Sequence, residues 1–448
     1  MRRINYGTDE AQQQLTELRA ELSAEGNVVS ERGRALTVKV FGEALAPQQV
    51  VQRICADVRQ QGLPAVLHYT AQFDQKAISP ETFRVPSKEL LQAHQSASTE
   101  FLKVVRRIRQ NVLSFQLGIL HRDAVFPMEN RYKLSLRYRP MRRVGVIVPG
   151  GAAAYPSTLL MTICPAQAAG VSEIAVVMPP TPFGAFNPDL LAVCHELGIT
   201  EVYRVGGAQA VAALAFGVEG LPQVDMIVGP GNLFVALAKK EVYGQVAIDC
   251  IAGPSEVVVI ADETANPRFV AADLLAQAEH APGSSILITT SEAFLQQVAL
   301  EIENQLKDLS RSEVTRESLE RFGAFILARH EEDVVALTNE LAPEHLHVQT
   351  ADPQSLVDRI DNAGAIFLGH HTPVALGDYA AGPSHVLPTG GTARFASGLS
   401  SNDFLRRSSL LSYTPEGLAE IAPSVELMAE KERLTAHAAS VSIRRTEL

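Results

Sequence analysis

The sequence predicts an α/β protein: two Rossmann-like units with parallel sheets but no G-x-G-x-x-G fingerprint, plus helical extensions at the N- and C-termini. Three observations carry this. Short apolar runs of strand length recur along the chain, as in Val144-Gly-Val-Ile-Val148 and Val257-Val-Val-Ile260. Several are followed at once by glycine pairs, Gly150-Gly151, Gly206-Gly207 and Gly229-x-Gly231. Helix-length segments lie between them, so strand, turn and helix alternate as parallel crossovers require.

Taken in order, residues 9–35 carry helical spacing through Leu15, Leu18 and Leu22, which reads as an arm. Residues 47–73 and 87–115 continue as helix. Lys133, Arg137, Arg139, Arg142 and Arg143 alternate with Leu134, Leu136 and Tyr138, as in a solvated edge strand or an interface. The first strand–glycine–helix passage starts at Val144. Strands follow at Glu173–Met178, Val202–Val205 and Met226–Val228, with helices after each. A second series has strands at Val257–Ile260, Ile286–Thr289, Ala324–Leu327, His345–Val348 and Ala365–Leu368, with helices at Asn266–His280 and Glu292–Leu309. After Gly398 only helices are expected, and Glu416–Leu448 reads as helical and then extended. The expected division is an arm over 1–40, one α/β unit over 41–146 and 256–398, an inserted unit over 147–255, and a helical tail over 399–448.

The 448 residues suffice for two or three domains with their own cores. A composition of 46% hydrophobic and 20% charged residues is that of a soluble globular chain. The net charge of −11 argues against nucleic acid or an anionic membrane as partner. No secretory apolar segment and no membrane-length apolar run is present, so the expected location is the cytoplasm. The four cysteines, Cys55, Cys164, Cys194 and Cys250, are far apart and read as reduced thiols. Cys250 is the best candidate for a nucleophile, but no histidine adjoins it in sequence to lower its pKa.

Chemistry-bearing residues gather in the second half. Glu344 and His345 stand side by side after Pro343, a carboxylate and an imidazole suited to acid/base work on one substrate. Gln277 and His280 share a helix face. Asp378 follows a glycine in a loop, and His437 lies on the terminal helix. Imidazole and carboxylate suit zinc and related metals, although glutamine is an uncommon ligand and Glu279 is its rival. His370-His371 and the pair His345/His347 are further rivals. The glycine loops suit a phosphate at a helix N-terminus or serve only as tight turns. Gln209 and Asn232 follow two of them, placed for hydrogen bonding to a cofactor or for helix capping.

These motifs together resemble the histidinol dehydrogenase family. The resemblance rests on Val-Pro-Gly-Gly at 148–151, Val-Gly-Gly-Ala-Gln at 205–209, Val-Gly-Pro-Gly-Asn at 228–232 and Ala-Gly-Pro-Ser-Glu at 252–256. It continues through Ala-Gln-Ala-Glu-His at 276–280, Ala-Pro-Glu-His-Leu at 342–346, Ala-Leu-Gly-Asp-Tyr at 375–379, Gly-Pro-Ser-His at 382–385 and Leu-Thr-Ala-His-Ala at 434–438. The resemblance implies a cytoplasmic homodimer that oxidises L-histidinol through L-histidinal to L-histidine with two NAD, the last step of histidine biosynthesis. It implies one zinc per subunit at Gln277, His280, Asp378 and His437, the last given by the partner chain. It implies Glu344 and His345 as the acid/base pair and Gln209 and Asn232 as NAD contacts. It also implies substrate contacts from Ser255, His385 and Glu432, alongside the metal ligands and His345. Ile147 stands where the family often has an NAD-contacting tyrosine. The alternatives are a paralogous NAD-dependent dehydrogenase of another polar alcohol, and a metal-dependent hydrolase or zinc-binding module that binds no NAD.

Overall fold

The computed structural model describes residues 1–22, 31–151, 153–280 and 282–446. The strands, in chain order, are β1 (Arg2–Asn5), β2 (Ala124–Met128), β3 (Tyr132–Pro140), β4 (Arg143–Ile147), β5 (Glu173–Met178), β6 (Glu201–Arg204) and β7 (Met226–Val228). They continue with β8 (Ala247–Ile248), β9 (Ser255–Ala261), β10 (Gly283–Thr289), β11 (Ala324–Leu327), β12 (His345–Gln349), β13 (Ala365–Leu368) and β14 (Leu405–Tyr413). They form a six-stranded parallel sheet in the order β1-β11-β10-β9-β12-β13 and a five-stranded parallel sheet in the order β6-β5-β4-β7-β8. A small antiparallel sheet has the order β14-β3-β2. The α/β class and the strands expected in both series are therefore observed.

Each parallel sheet is buried on both faces, which is why its strands read as continuous apolar runs. The six-stranded sheet packs one face on the helices Asp9–Leu22 and Glu331–Leu341, and the other on Pro267–Ala278, Glu292–Leu306 and Ser312–Phe322. The five-stranded sheet packs between helix Pro156–Ala169 with Pro188–Glu196 on one side and Gly207–Phe216 with Leu233–Val242 on the other.

Several expectations are corrected. The amino-terminal segment begins with a strand, because Arg2–Asn5 completes the edge of the six-stranded sheet beside β11. The expected helix over 9–35 is present as Asp9–Leu22 and from Glu31, and residues 23–30 lie outside the described residues. Helices Pro47–Gln61 and Leu63–Phe73 share a core with β5 and helix Gly207–Phe216, so they build onto the five-stranded sheet and not onto the other unit. The boundary expected at 146/147 falls inside β4, the central strand of that sheet. Of the basic run, Lys133, Arg137 and Arg139 lie on β3, the central strand of the antiparallel sheet and not an edge, while Arg143 starts β4. The tail is not purely helical, since β14 precedes the helices Pro415–Lys431 and Thr435–Thr446, and no extended end follows among the described residues.

A short segment, 249–254, joins β8 to β9, leading from the carboxyl edge of the five-stranded sheet to the amino edge of the six-stranded one. A buried ion pair fixes its start. Lys239 Nζ lies 2.6 Å from Asp249 Oδ1, with side chains 3% and 2% exposed. Lys239 also donates to the Gly229 carbonyl, and Gly229 N–H donates to Asp249 Oδ2 at 2.7 Å. Gly229 has φ +110°, and a Cβ there would lie 2.2 Å from the Ile147 carbonyl oxygen, so the loop admits only glycine.

Lys239→Met is expected to strand the Asp249 carboxylate in the interior. Removing one partner of a buried pair costs about 3–5 kcal/mol. Urea denaturation should show a correspondingly lower midpoint, and a parental midpoint would refute the structural weight given to the pair.

Candidate active site

The site begins at the amino ends of β9 and β12, which are paired in register with His345 beside Val257. The chain reaches β12 through Ala342, a non-glycine residue at φ +46°, and then Pro343. This left-handed turn delivers Glu344 and His345 to the strand head, both buried. Glu344 Oε2 accepts the Ser255 hydroxyl at 2.6 Å and the Glu256 N–H at 2.8 Å. His345 Nδ1 lies 3.1 Å from the Glu256 carbonyl and 3.6 Å from Glu344 Oε2. A carbonyl only accepts, so Nδ1 carries the proton and Nε2 is the nitrogen that faces Asp378, at 3.6 Å from Oδ1.

Helix Pro267–Ala278 brings in the next residues. Gln277 Nε2 donates to Ser255 Oγ at 2.7 Å. The Ser255 hydroxyl thus accepts from Gln277 and donates to Glu344, linking the helix to the strand head. With its nitrogen engaged, the Gln277 amide oxygen is left for a ligand. His280 follows the helix end and is solvent-accessible in the single chain. Asp378 lies in the helix Val374–Tyr379, where its backbone carbonyl meets His385 Nδ1 at 3.0 Å. His385 Nε2 is buried without a protein partner. A buried lone pair left unmatched is a place for a donor from outside the chain.

Electrostatics follow the packing. Burial raises the Glu344 pKa above the ordinary carboxylate value, opposed by His345 and the Ser255 hydroxyl. Burial works against charge on His345, but Glu344 and Asp378 override it and raise its pKa to about 9. Burial likewise opposes the charge of Asp378, and the nearby histidines, His345 first, still hold its pKa below the ordinary value. Crowding by protein lowers the pKa of His280 and His385, which keeps both rings neutral. A neutral imidazole, a carboxylate and an amide oxygen are three donors of the kind that hold a borderline divalent metal, so His280, Asp378 and Gln277 fit such an ion. Among the described residues no three His, Cys, Asp or Glu side chains of one chain form a metal site by themselves.

Ser255, Gln277, His280, Glu344, His345, Asp378 and His385 are thus gathered in one place. Glu432 and His437 are not. Both are exposed on the carboxyl-terminal helical hairpin, with no described contact to the cluster in the same chain. Asn232 caps helix Leu233–Val242, its Oδ1 accepting Val235 N–H at 3.2 Å. Gln209 is buried in the first turn of helix Gly207–Phe216, folded back over the positive-φ Gly207. Both belong to carboxyl-edge loops of the five-stranded sheet, where ligands of such sheets bind. Ile147 is packed in the core with Val235. His347 is engaged by Asp273 at 3.0 Å and by the Gly369 carbonyl at 2.9 Å, which removes it as a rival ligand. Glu256 was not anticipated, although a carboxylate heading an apolar strand was a visible signal.

The histidinol dehydrogenase family profile matches residues 43–445. A histidinol dehydrogenase of Rhodopirellula baltica is 58% identical over 98% of this chain and 95% of its own length. One of Thermosynechococcus vestitus is 46% identical over 96% and 98%. The crystal structure of histidinol dehydrogenase from Elizabethkingia anophelis superposes with a TM-score of 0.88 at 35% identity, covering 100% of this chain and 98% of that one.

Burial raises all four thiols, Cys55, Cys164, Cys194 and Cys250, to a pKa of about 12. At pH 8 only about one in ten thousand such thiols is ionised. Iodoacetamide treatment of the folded protein at pH 8 should leave Cys250 unmodified by mass spectrometry. Rapid labelling would restore it as a candidate nucleophile.

Proposed function

Because this chain belongs to the histidinol dehydrogenase family, whose members are NAD-dependent oxidoreductases, we propose that it oxidises L-histidinol through L-histidinal to L-histidine, the last step of histidine biosynthesis. The observation that carries the reading is the unbroken contact chain from Gln277 through Ser255 to Glu344, with His345 and Asp378 beside it. The balance is two NAD and one water consumed per alcohol, with two NADH and three protons released alongside the carboxylate.

Zinc, when held by Gln277, His280, Asp378 and a partner's His437, supplies a positive centre that orients the substrate's imidazole and amine, and NAD supplies the hydride acceptor. The remaining work falls to side chains. His345 takes the hydroxyl proton at Nε2, its Nδ1–H being fixed on the Glu256 carbonyl. Glu344 and Asp378 raise the His345 pKa to about 9, and a zinc ion at Asp378 would offset part of that carboxylate charge and so favour an unprotonated Nε2. Glu344 Oε2 is engaged by two donors, so Oε1 is the oxygen that takes a proton from the water adding to the aldehyde. The resulting hydrate gives up the second hydride. His385 Nε2 accepts from the bound substrate, and Ser255 and the partner's Glu432 complete its contacts. Gln209 and Asn232 line the side on which NAD binds.

A homodimer with shared sites is supported by two exposures in the single chain. His280 is open on its outer side, and His437 stands free on the terminal hairpin. That hairpin and the antiparallel sheet also expose Phe126, Leu411, Leu427 and Met428, an apolar surface suited to a second copy. No helix among the described residues is long and apolar enough to cross a membrane.

An NADH absorbance assay with L-histidinol tests the substrate; silence with L-histidinol but turnover of another polar alcohol would replace it. His345→Asn is expected to slow alcohol oxidation by roughly 10²–10⁴-fold. Glu344→Gln should spare the alcohol step and impair L-histidinal oxidation, and equal losses in both steps would contradict the division of labour. Chelation should abolish turnover and zinc restore it. Mixed dimers of His437→Ala and His345→Asn subunits should regain activity, since one site of each dimer keeps both residues. Inactive verified heterodimers would remove the shared-site reading.

A further inference from the structure

One residue outside the proposed chemistry touches both members of the Glu344–His345 pair. Glu256 is the second residue of β9 and only 6% exposed. Its Oε1 accepts the Glu344 N–H at 3.3 Å and the Gly390 N–H at 2.9 Å. Its own N–H donates to Glu344 Oε2 at 2.8 Å, and its carbonyl meets His345 Nδ1 at 3.1 Å.

One of the two segments it grips holds a strained residue. Ala342, two residues before Glu344, has φ +46°, a conformation that disfavours a side chain. In the other, Gly390 and Gly391 have φ +60° and +77°, which glycine adopts without strain. The Ala342 turn, held against its intrinsic preference, persists only when its surroundings over-determine it. The Thr389 hydroxyl, accepting Gly253 N–H, ties the same turn to the segment preceding β9. Burial and the neighbouring Glu344 raise the Glu256 pKa to about 7. The two N–H groups need an acceptor oxygen, which the neutral carboxyl provides as well as the carboxylate.

We propose that Glu256 is a positioning residue for this site: its carboxyl oxygen anchors the Ala342–Glu344 turn and the Thr389–Gly391 turn to the head of β9, and so fixes the orientation in which Glu344 and His345 meet the substrate. The proposal rests on the acid/base reading above. Its role is geometric, so an acceptor oxygen is required and a charge is not.

E256Q keeps the acceptor, while E256M fills similar space without it. With zinc-loaded enzyme, L-histidinol and NAD, E256M should lose roughly 10- to 100-fold in kcat with KM changed by less than about threefold. E256Q should keep at least about a third of parental kcat, as the contacts it preserves are the ones invoked. Parental kcat in E256M, or a folded E256Q as slow as E256M, would overturn the proposal. Should E256M fail to fold, E256Q decides alone: a near-parental rate supports the anchor and a tenfold loss refutes it. Inactivity of the parent on L-histidinol would instead sink the substrate assignment. In that event ¹⁵N-histidine spectra, which need no turnover, decide the question of Glu256. The His345 Nδ1–H resonance should persist in E256Q and shift or broaden in E256M, and identical spectra would refute the role.

Discussion

The burial of the Glu344 carboxylate constrains everything around it. A carboxylate taken out of water is costly unless hydrogen-bond donors meet it. Here the Ser255 hydroxyl and the Glu256 N–H do so. Those donors come from the head of β9, so β9 and β12 must be neighbours in register for the carboxylate to be tolerated. Ser255 then has a free acceptor side, and Gln277 occupies it, which sets the orientation of the helix Pro267–Ala278. One buried charge thereby fixes two strands and a helix relative to each other.

The location is unusual for a parallel sheet. Ligands of open α/β sheets sit at the carboxyl ends of strands, the edge at which the five-stranded sheet carries its glycine loops. Glu344 and His345 occupy the amino edge of the other sheet. The segment 249–254 reconciles the two, since it runs from one edge to the other in six residues and is pinned at its start by Lys239 and Asp249. Further along, Gly253 N–H is bound by Thr389, and Ser384 donates to the Met161 carbonyl in the helix after β4. The glycine-loop edge of one sheet and the edge bearing Glu344 and His345 in the other are thus tied together by short, buried contacts.

The distribution of exposed groups has one economical explanation. His280, Glu432 and His437 are polar groups with chemical potential left open on the outside of the chain. They accompany an apolar face on β2, β14 and the terminal hairpin. In the proposed homodimer, a second copy covering this face would bring these groups towards the site around Glu344 and His345. Catalysis and association would then be the same event, and a lone subunit would hold the acid/base pair without a complete grip on substrate.

Much of this was legible in the sequence because its causes are local. Strands buried on both faces are continuous apolar runs, glycine pairs mark the turns that follow them, and Pro343-Glu344-His345 announces itself by chemistry alone. The helix that carries Gln277 was legible too, but it stops at Ala278 and leaves His280 in the turn beyond, not on a shared helix face. What the tertiary structure decided depends on contacts between residues far apart in the chain. The strand β14 has no clean alternation of its own and forms because β3 pairs with it. Arg2–Asn5 is a strand only because β11 offers it an edge. Helices from 47 to 118 look alike in sequence, and only packing assigns them to the five-stranded sheet. His347 has the composition of a ligand but is engaged by Asp273, and Glu256 has no motif of its own yet touches the turns on both sides of the site. Local propensity and side-chain chemistry fixed which groups were available; the burial of charge, satisfied only by distant donors, determined which of them meet.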